Sequence, residues 1–98
     1  MRIQLEKFGT TLVSRQQGKE AYAAFLPTLK TVSENEVVEV DFSGVVTFSP
    51  SWGDEFLSPL LAKFTNHLKL IKVGKNPSVL LTITLLEKIH DTTFHLEN

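Results

Sequence analysis

Apolar and polar residues alternate at the N-terminus. "RIQLEKF" sends Ile3 and Leu5, with Phe8 beyond them, to one side, and Arg2, Gln4 and Glu6 to the other. That period of two predicts a strand with one wet face. Gly9, Thr10 and Thr11 then form a turn, and "TLV" reads as a short return strand that completes a hairpin. The pattern next becomes helical, with Tyr22, Phe25, Leu26, Leu29 and Val32 on one stripe. Ser14 followed by Gln17 fits a capping box at the start of that helix. Pro27 predicts a kink or an early break.

"VVEVDF" predicts an interior strand, rich in valine and bounded by polar and glycine residues, and "SGVVTF" continues it loosely. "SPSWGDEFLSPLLAKF" predicts a helix with Pro50 in its first turn and Phe56, Leu57, Leu60 and Phe64 toward the core. Pro59 threatens its middle, or restarts it after a kink. "LKLIKV" predicts a second interior strand with Leu68, Leu70, Ile71 and Val73 buried. In "NPSVLLTITLLEKIHDTTF" the β-branched run Val79 to Thr84 admits a strand. The length and the Asn76-Pro77 start favour a helix, with Val79, Ile83, Leu86 and Ile89 on one side. Leu80, Leu81 and Leu85 then fall outside the main stripe. They form either a wide core contact or a partner surface, including a homodimer through this C-terminal helix.

Strands that alternate with helices require right-handed crossovers. The expected fold is therefore α/β, one domain over residues 1–98. It has about four strands in a mixed sheet carrying the N-terminal hairpin, and about three helices.

Bulk properties narrow the function. At 98 residues with 42% hydrophobic content, the chain suits one small globular core. The net charge of −1 gives no general attraction to nucleic acid or to an anionic membrane. Lys69, Lys72 and Lys75 are spaced along a strand-like stretch and read as a solvated face. The chain has no cysteine, which excludes disulfides, thiolate metal sites and a cysteine nucleophile. No apolar run approaches the roughly 18 residues of a membrane span, and "MRIQLEKF" does not read as a signal peptide. A soluble cytoplasmic protein is the expectation.

The chemistry-bearing residues gather at "DFSGVVTFSPSWGDEF". Ser49 or Ser51 can cap the helix: Pro50 at its first position makes Ser49 the cap, whereas Asp54 three residues after Ser51 fits a capping box. Asp54 and Glu55 read as first-turn acids that complement the positive helix end, one of them pairing with Arg15. Asp41, Asp54 and Glu55 could also converge on a cation, but the capping and pairing account is preferred, so no metal and no cofactor are expected. A serine at a strand-to-helix joint also suggests the nucleophile elbow of hydrolases, with His67, His90 or His95 as base and Asp91 as orienting acid. Ser49 occupies the elbow's first glycine position, which favours a cap over a strained turn. The histidines otherwise read as solvated, His95 in a frayed tail. Trp52 reads as core or as a partner contact.

Two segments carry a family resemblance. They are Phe8, Gly9, Ser14 and Arg15, then Asp41, Phe42, Gly44, Val45, Ser51, Asp54 and Glu55. From about Arg2 to Phe64 the chain resembles the STAS domain, the bacterial anti-sigma-factor-antagonist module. It resembles more closely the short STAS-like family of uncharacterised bacterial proteins. The resemblance implies a non-enzymatic regulatory interaction module whose partner is a protein, such as a histidine-kinase-like ATPase or another signalling component. Its contact surface would span Thr47 to Glu55, with Ser49, Ser51, Trp52, Asp54, Glu55 and Arg15 as its residues. In STAS antagonists a serine in this turn is phosphorylated, and that serine falls on Ser51. Ser49 and Pro50 stand where that turn has aspartate and serine, and Trp52 where it has glycine. The alternative is a small ligand-binding domain or hydrolase built on the same Ser51 corner.

Overall fold

The computed structural model describes residues 1–97. In chain order it holds β1 (Arg2–Gln4), β2 (Thr11–Leu12), α1 (Arg15–Leu29), β3 (Val38–Asp41), β4 (Thr47–Phe48), α2 (Pro50–Phe64), β5 (Leu68–Ile71), α3 (Pro77–His90) and β6 (His95–Glu97). The main sheet has the order β1-β3-β5-β6, while β2 and β4 pair separately. A four-stranded α/β architecture with three helices, as a STAS-like fold requires, is therefore what forms.

Two details depart from expectation. There is no N-terminal hairpin, and the sheet is parallel throughout rather than mixed. After β1 the chain coils through a 3-10 turn at Leu5–Phe8, and Gly9 at φ 127° redirects it. That φ lies where only glycine is comfortable. The Thr10 carbonyl then accepts from the N–H groups of Val46 and Thr47. So β2 runs parallel to β4, while β1 pairs with β3 across the α1 crossover. The tail is not frayed at His95: β6 extends the sheet beside β5.

Alternation along the strands gives the sheet two unlike faces. Ile3, Val38, Val40, Leu68 and Leu70 are buried in one hydrophobic cluster with Phe56, Leu60, Ile83 and Leu86 of the helices. On the other face Arg2, Glu39, Lys69 and His95 stand in register across all four strands. Arg2 pairs there with Glu39, and Lys69 with Glu97.

The helices begin where their caps dictate. Ser14 Oγ accepts from Gln17 N–H, the serine half of the predicted box. Asn76 Oδ1 accepts from the N–H groups of Ser78 and Val79, which confirms the third segment as a helix. Neither proline breaks its helix. Pro27 lies in the last turn of α1, where Lys63 Nζ donates to the Leu29 carbonyl. Pro59 sits mid-helix, but Leu57, Leu60 and Phe64 are fully buried around it, and that burial holds α2 continuous. Along α1 the stripe is shallower than predicted: Leu29 is buried, with Tyr22, Phe25 and Leu26 only partly so. On α3 Ile89 is 59% exposed, and Thr82 is buried instead.

Helices α1 and α2 meet at an aromatic cluster. Trp52 stacks on Phe56 with centroids 5.0 Å apart and planes at 24°. Phe48 lies 5.8 Å from Trp52, and Phe8 lies 5.2 Å from Phe56. The close approach depends on Gly18 of α1, where an added Cβ would stand 2.8 Å from the Trp52 carbonyl oxygen. Alanine gains about 1 kcal/mol of helix propensity over glycine, but forcing two backbones apart costs about 1–3 kcal/mol. Gly18→Ala is expected to lower stability by up to about 2 kcal/mol, read from the urea midpoint at constant slope.

Candidate functional site

The joint between β4 and α2 is built by Ser49. Its Oγ accepts from Trp52 N–H at 3.2 Å and donates to the Val13 carbonyl at 2.7 Å. Its own N–H goes to Leu12. Ser49 is therefore the cap, and it also ties α2 to the segment after β2. Pro50 decides the choice, since its fixed φ suits the first helical position. With Ser49 as the cap, Asp54 and Glu55 lie in the second turn, one turn later than predicted.

The two acids answer to Arg15 at the start of α1. Arg15 Nη1 lies 2.9 Å from Glu55 Oε1 and 3.3 Å from Asp54 Oδ2. Asp54 is also the acceptor of a second group. Ser58 Oγ donates to its Oδ1 at 2.8 Å, and His90 Nε2 lies 3.1 Å from the same oxygen. His90 Nε2 is also 2.8 Å from Ser58 Oγ. One carboxylate thus fastens α2 to the first turn of α1 and the last turn of α3. Ser58 and His90 were not predicted members of this cluster. His90, read as solvated, is exposed and is also held by it, because the turns of α2 and α3 that carry the two residues lie side by side.

This triangle is not a nucleophile relay. A relay needs the imidazole to accept from serine with one nitrogen while the other donates to the acid. Here a single nitrogen, Nε2, faces both Ser58 and Asp54, so the acid does not orient the ring through its other nitrogen.

Ser51 is half-buried in the first turn of α2, and its hydroxyl has no hydrogen-bond partner among the described residues. His67 and Asp91 are not brought to it either. Asp91 ends α3 in the left-handed conformation. Trp52 is 1% exposed, so it faces the aromatic cluster and supports the corner from beneath rather than presenting itself to a partner. Asp41 stands apart from Asp54 and Glu55, accepting from Ser43 N–H at 2.8 Å. Among the described residues no cluster of three His, Asp or Glu side chains could hold a metal ion. No helix there is long and apolar enough to cross a membrane.

Beside the corner runs a cleft of about 560 Å³ between β4, Pro50 and α3, floored by Phe48 and walled by Leu81, Leu85 and Lys88. The sequence signalled only its leucines, the surplus on α3. Its other wall comes from residues about thirty positions earlier.

A family model described as a STAS-like domain of unknown function (DUF4325) matches residues 17–76, more than half of the chain. The chain belongs to this STAS-like family. Searches of curated proteins and of solved structures found no match. The STAS-like match takes in the whole corner from Thr47 to Glu55 and stops at the cap of α3, so the cleft's α3 wall lies beyond it.

The Ser58 hydroxyl holds the Asp54 carboxyl below its ordinary range, with His90 and Arg15 adding to the effect and burial opposing it. A depressed carboxyl contributes stability in full above its unfolded value near pH 4 and loses it as pH falls through the lower folded value. Asp54→Asn is expected to show a flatter loss of stability between about pH 4 and pH 2 than the parent chain. Urea midpoints measured across that range check it.

Proposed function

We propose that this STAS-like protein is a non-enzymatic regulatory module that binds a protein partner through the corner from Thr47 to Glu55. The partner class is a signalling protein such as a histidine-kinase-like ATPase, and the setting is the bacterial cytoplasm. One observation carries the reading. The corner is rigidly built, yet its Ser51 hydroxyl is left unpartnered on the surface. Ser49 is spent on capping, and Asp54 and Glu55 are spent on Arg15, His90 and Ser58. Among the described residues no acid or base is hydrogen-bonded to the Ser51 hydroxyl: the neighbouring Asp54 and Glu55 are turned to other partners. A preorganised surface with an idle hydroxyl suits recognition, which gains affinity from rigidity, better than chemistry, which needs a proton acceptor in reach.

Ser51→Arg places a long cation at that half-buried position in the first turn of α2. Its stability is expected to stay within about 0.5 kcal/mol of the parent. Affinity capture from cells of the source organism is expected to recover a partner with the parent chain and with Lys69→Ala, on the sheet's opposite face, but not with Ser51→Arg. Equal recovery by all three would refute the corner.

Phosphorylation of Ser51 is a second reading of the same surface, favoured by the free hydroxyl and by Arg15, which already neutralises the neighbouring acids. Intact mass after incubation with the captured partner and ATP is expected to rise by one phosphate, and not to rise for Ser51→Ala.

A further inference from the structure

The cleft between β4 and α3 continues the docking corner, since Thr47, Ser49 and Pro50 line both. On its α3 wall Leu81 is 71% and Leu85 41% exposed. Leucines so placed on one short helix mark a surface that something covers.

The backbone of β4 restricts what can lie there. The Phe48 N–H donates to Ser78 Oγ at 2.9 Å. The Phe48 carbonyl accepts from both Ser78 Oγ and Thr82 Oγ1. Thr47 N–H goes to Thr10, and Ser49 N–H to Leu12. An extended peptide added to this edge would find no N–H to pair with, and its own backbone would be buried unsatisfied. Even the Thr84 hydroxyl is committed, to the Leu80 carbonyl. The occupant must therefore bring a backbone already hydrogen-bonded within itself, as a helix does.

Charge adds a second requirement. Lys88 lines the cleft, makes no ion pair among the described residues, and has no carboxylate beside it in the lining. An acidic side chain on the occupant would complement it.

We propose that this cleft receives an amphipathic helix of the partner protein, its apolar face against Leu81 and Leu85 and an acidic residue opposite Lys88. The inference rests on the corner being a docking surface, and names the chemistry of what docks.

The test uses the full chain and two fluorescein-labelled synthetic helices. Both carry leucines at i, i+3, i+4 and i+7, and they differ only in a flanking glutamate or lysine. Anisotropy titration is expected to show the glutamate peptide binding roughly fivefold tighter than the lysine peptide. Lys88→Glu is expected to reverse that preference, and Leu81→Ser with Leu85→Ser to weaken both peptides at least about tenfold. Both positions are exposed, and far-UV circular dichroism confirms that the variants stay folded. Equal binding of the two peptides, or binding indifferent to the leucine pair, overturns the proposal. So does a parent dimer in sedimentation equilibrium that the leucine pair dissolves, since the occupant would then be a second copy. Decanoate bound in calorimetry with neither peptide bound would make it an acyl-chain site and overturn the proposal equally. If Ser51→Arg abolishes partner capture while the leucine pair leaves it intact, the corner stands and the cleft inference falls.

Discussion

The contact of Trp52 with Gly18 constrains most of this molecule. A bulky ring and a missing side chain let α1 and α2 approach at backbone distance. From that crossing the ring reaches Phe56 and Phe48, and through Phe56 it reaches Phe8 in the 3-10 turn after β1. The first helix, the second helix and the N-terminal segment are thus referenced to one side chain. Gly53, the next residue, repeats the device on the other side of α2, where a Cβ would press on Phe48 and Leu86 of α3. Two glycines and a tryptophan position all three helices because close packing leaves no slack for an extra methyl group.

The corner inherits its rigidity from this arrangement. Trp52 and Ser49 belong to one turn, so the ring that fixes α2 also fixes the cap. The Asp54 cluster then closes the exposed side by joining α1, α2 and α3. These ion pairs are partly exposed, and exposed pairs contribute little energy individually. Their effect is to consume the charged groups near Ser51. A domain whose polar groups are satisfied internally presents shape, apolar area and a few free groups to its surroundings. Around this corner and its cleft, those include the Ser51 hydroxyl, the leucines of α3 and Lys88.

Ser78 and Thr82 connect the corner to the cleft. By filling the hydrogen-bonding capacity of Phe48 they turn a strand edge into a closed, largely apolar wall. Free strand edges invite pairing with other chains. An edge quenched by helix hydroxyls offers no backbone group for such pairing.

Local signals set much of this structure. Ser14, Ser49-Pro50 and Asn76-Pro77 mark where each helix starts, because caps act within one turn of chain. The valine-rich and leucine-rich runs mark β3 and β5, and the leucine surplus on the last helix marks an outer surface. The STAS-like character was legible in "DFSGV" and the acids that follow. Strand direction was not. A turn-like Gly9 is compatible with a hairpin or with a redirected chain, and the choice depends on Val46 and Thr47 meeting Thr10. Only the tertiary structure set Trp52 against Gly18, drew His90 to Asp54, and set Phe48 against Ser78 and Thr82. Each of those outcomes joins residues about thirty or more positions apart, or turns on a glycine whose role is to be small where another backbone passes. Periodicity and capping report on neighbours within a few residues, and the long-range pairings were decided by how the helices pack.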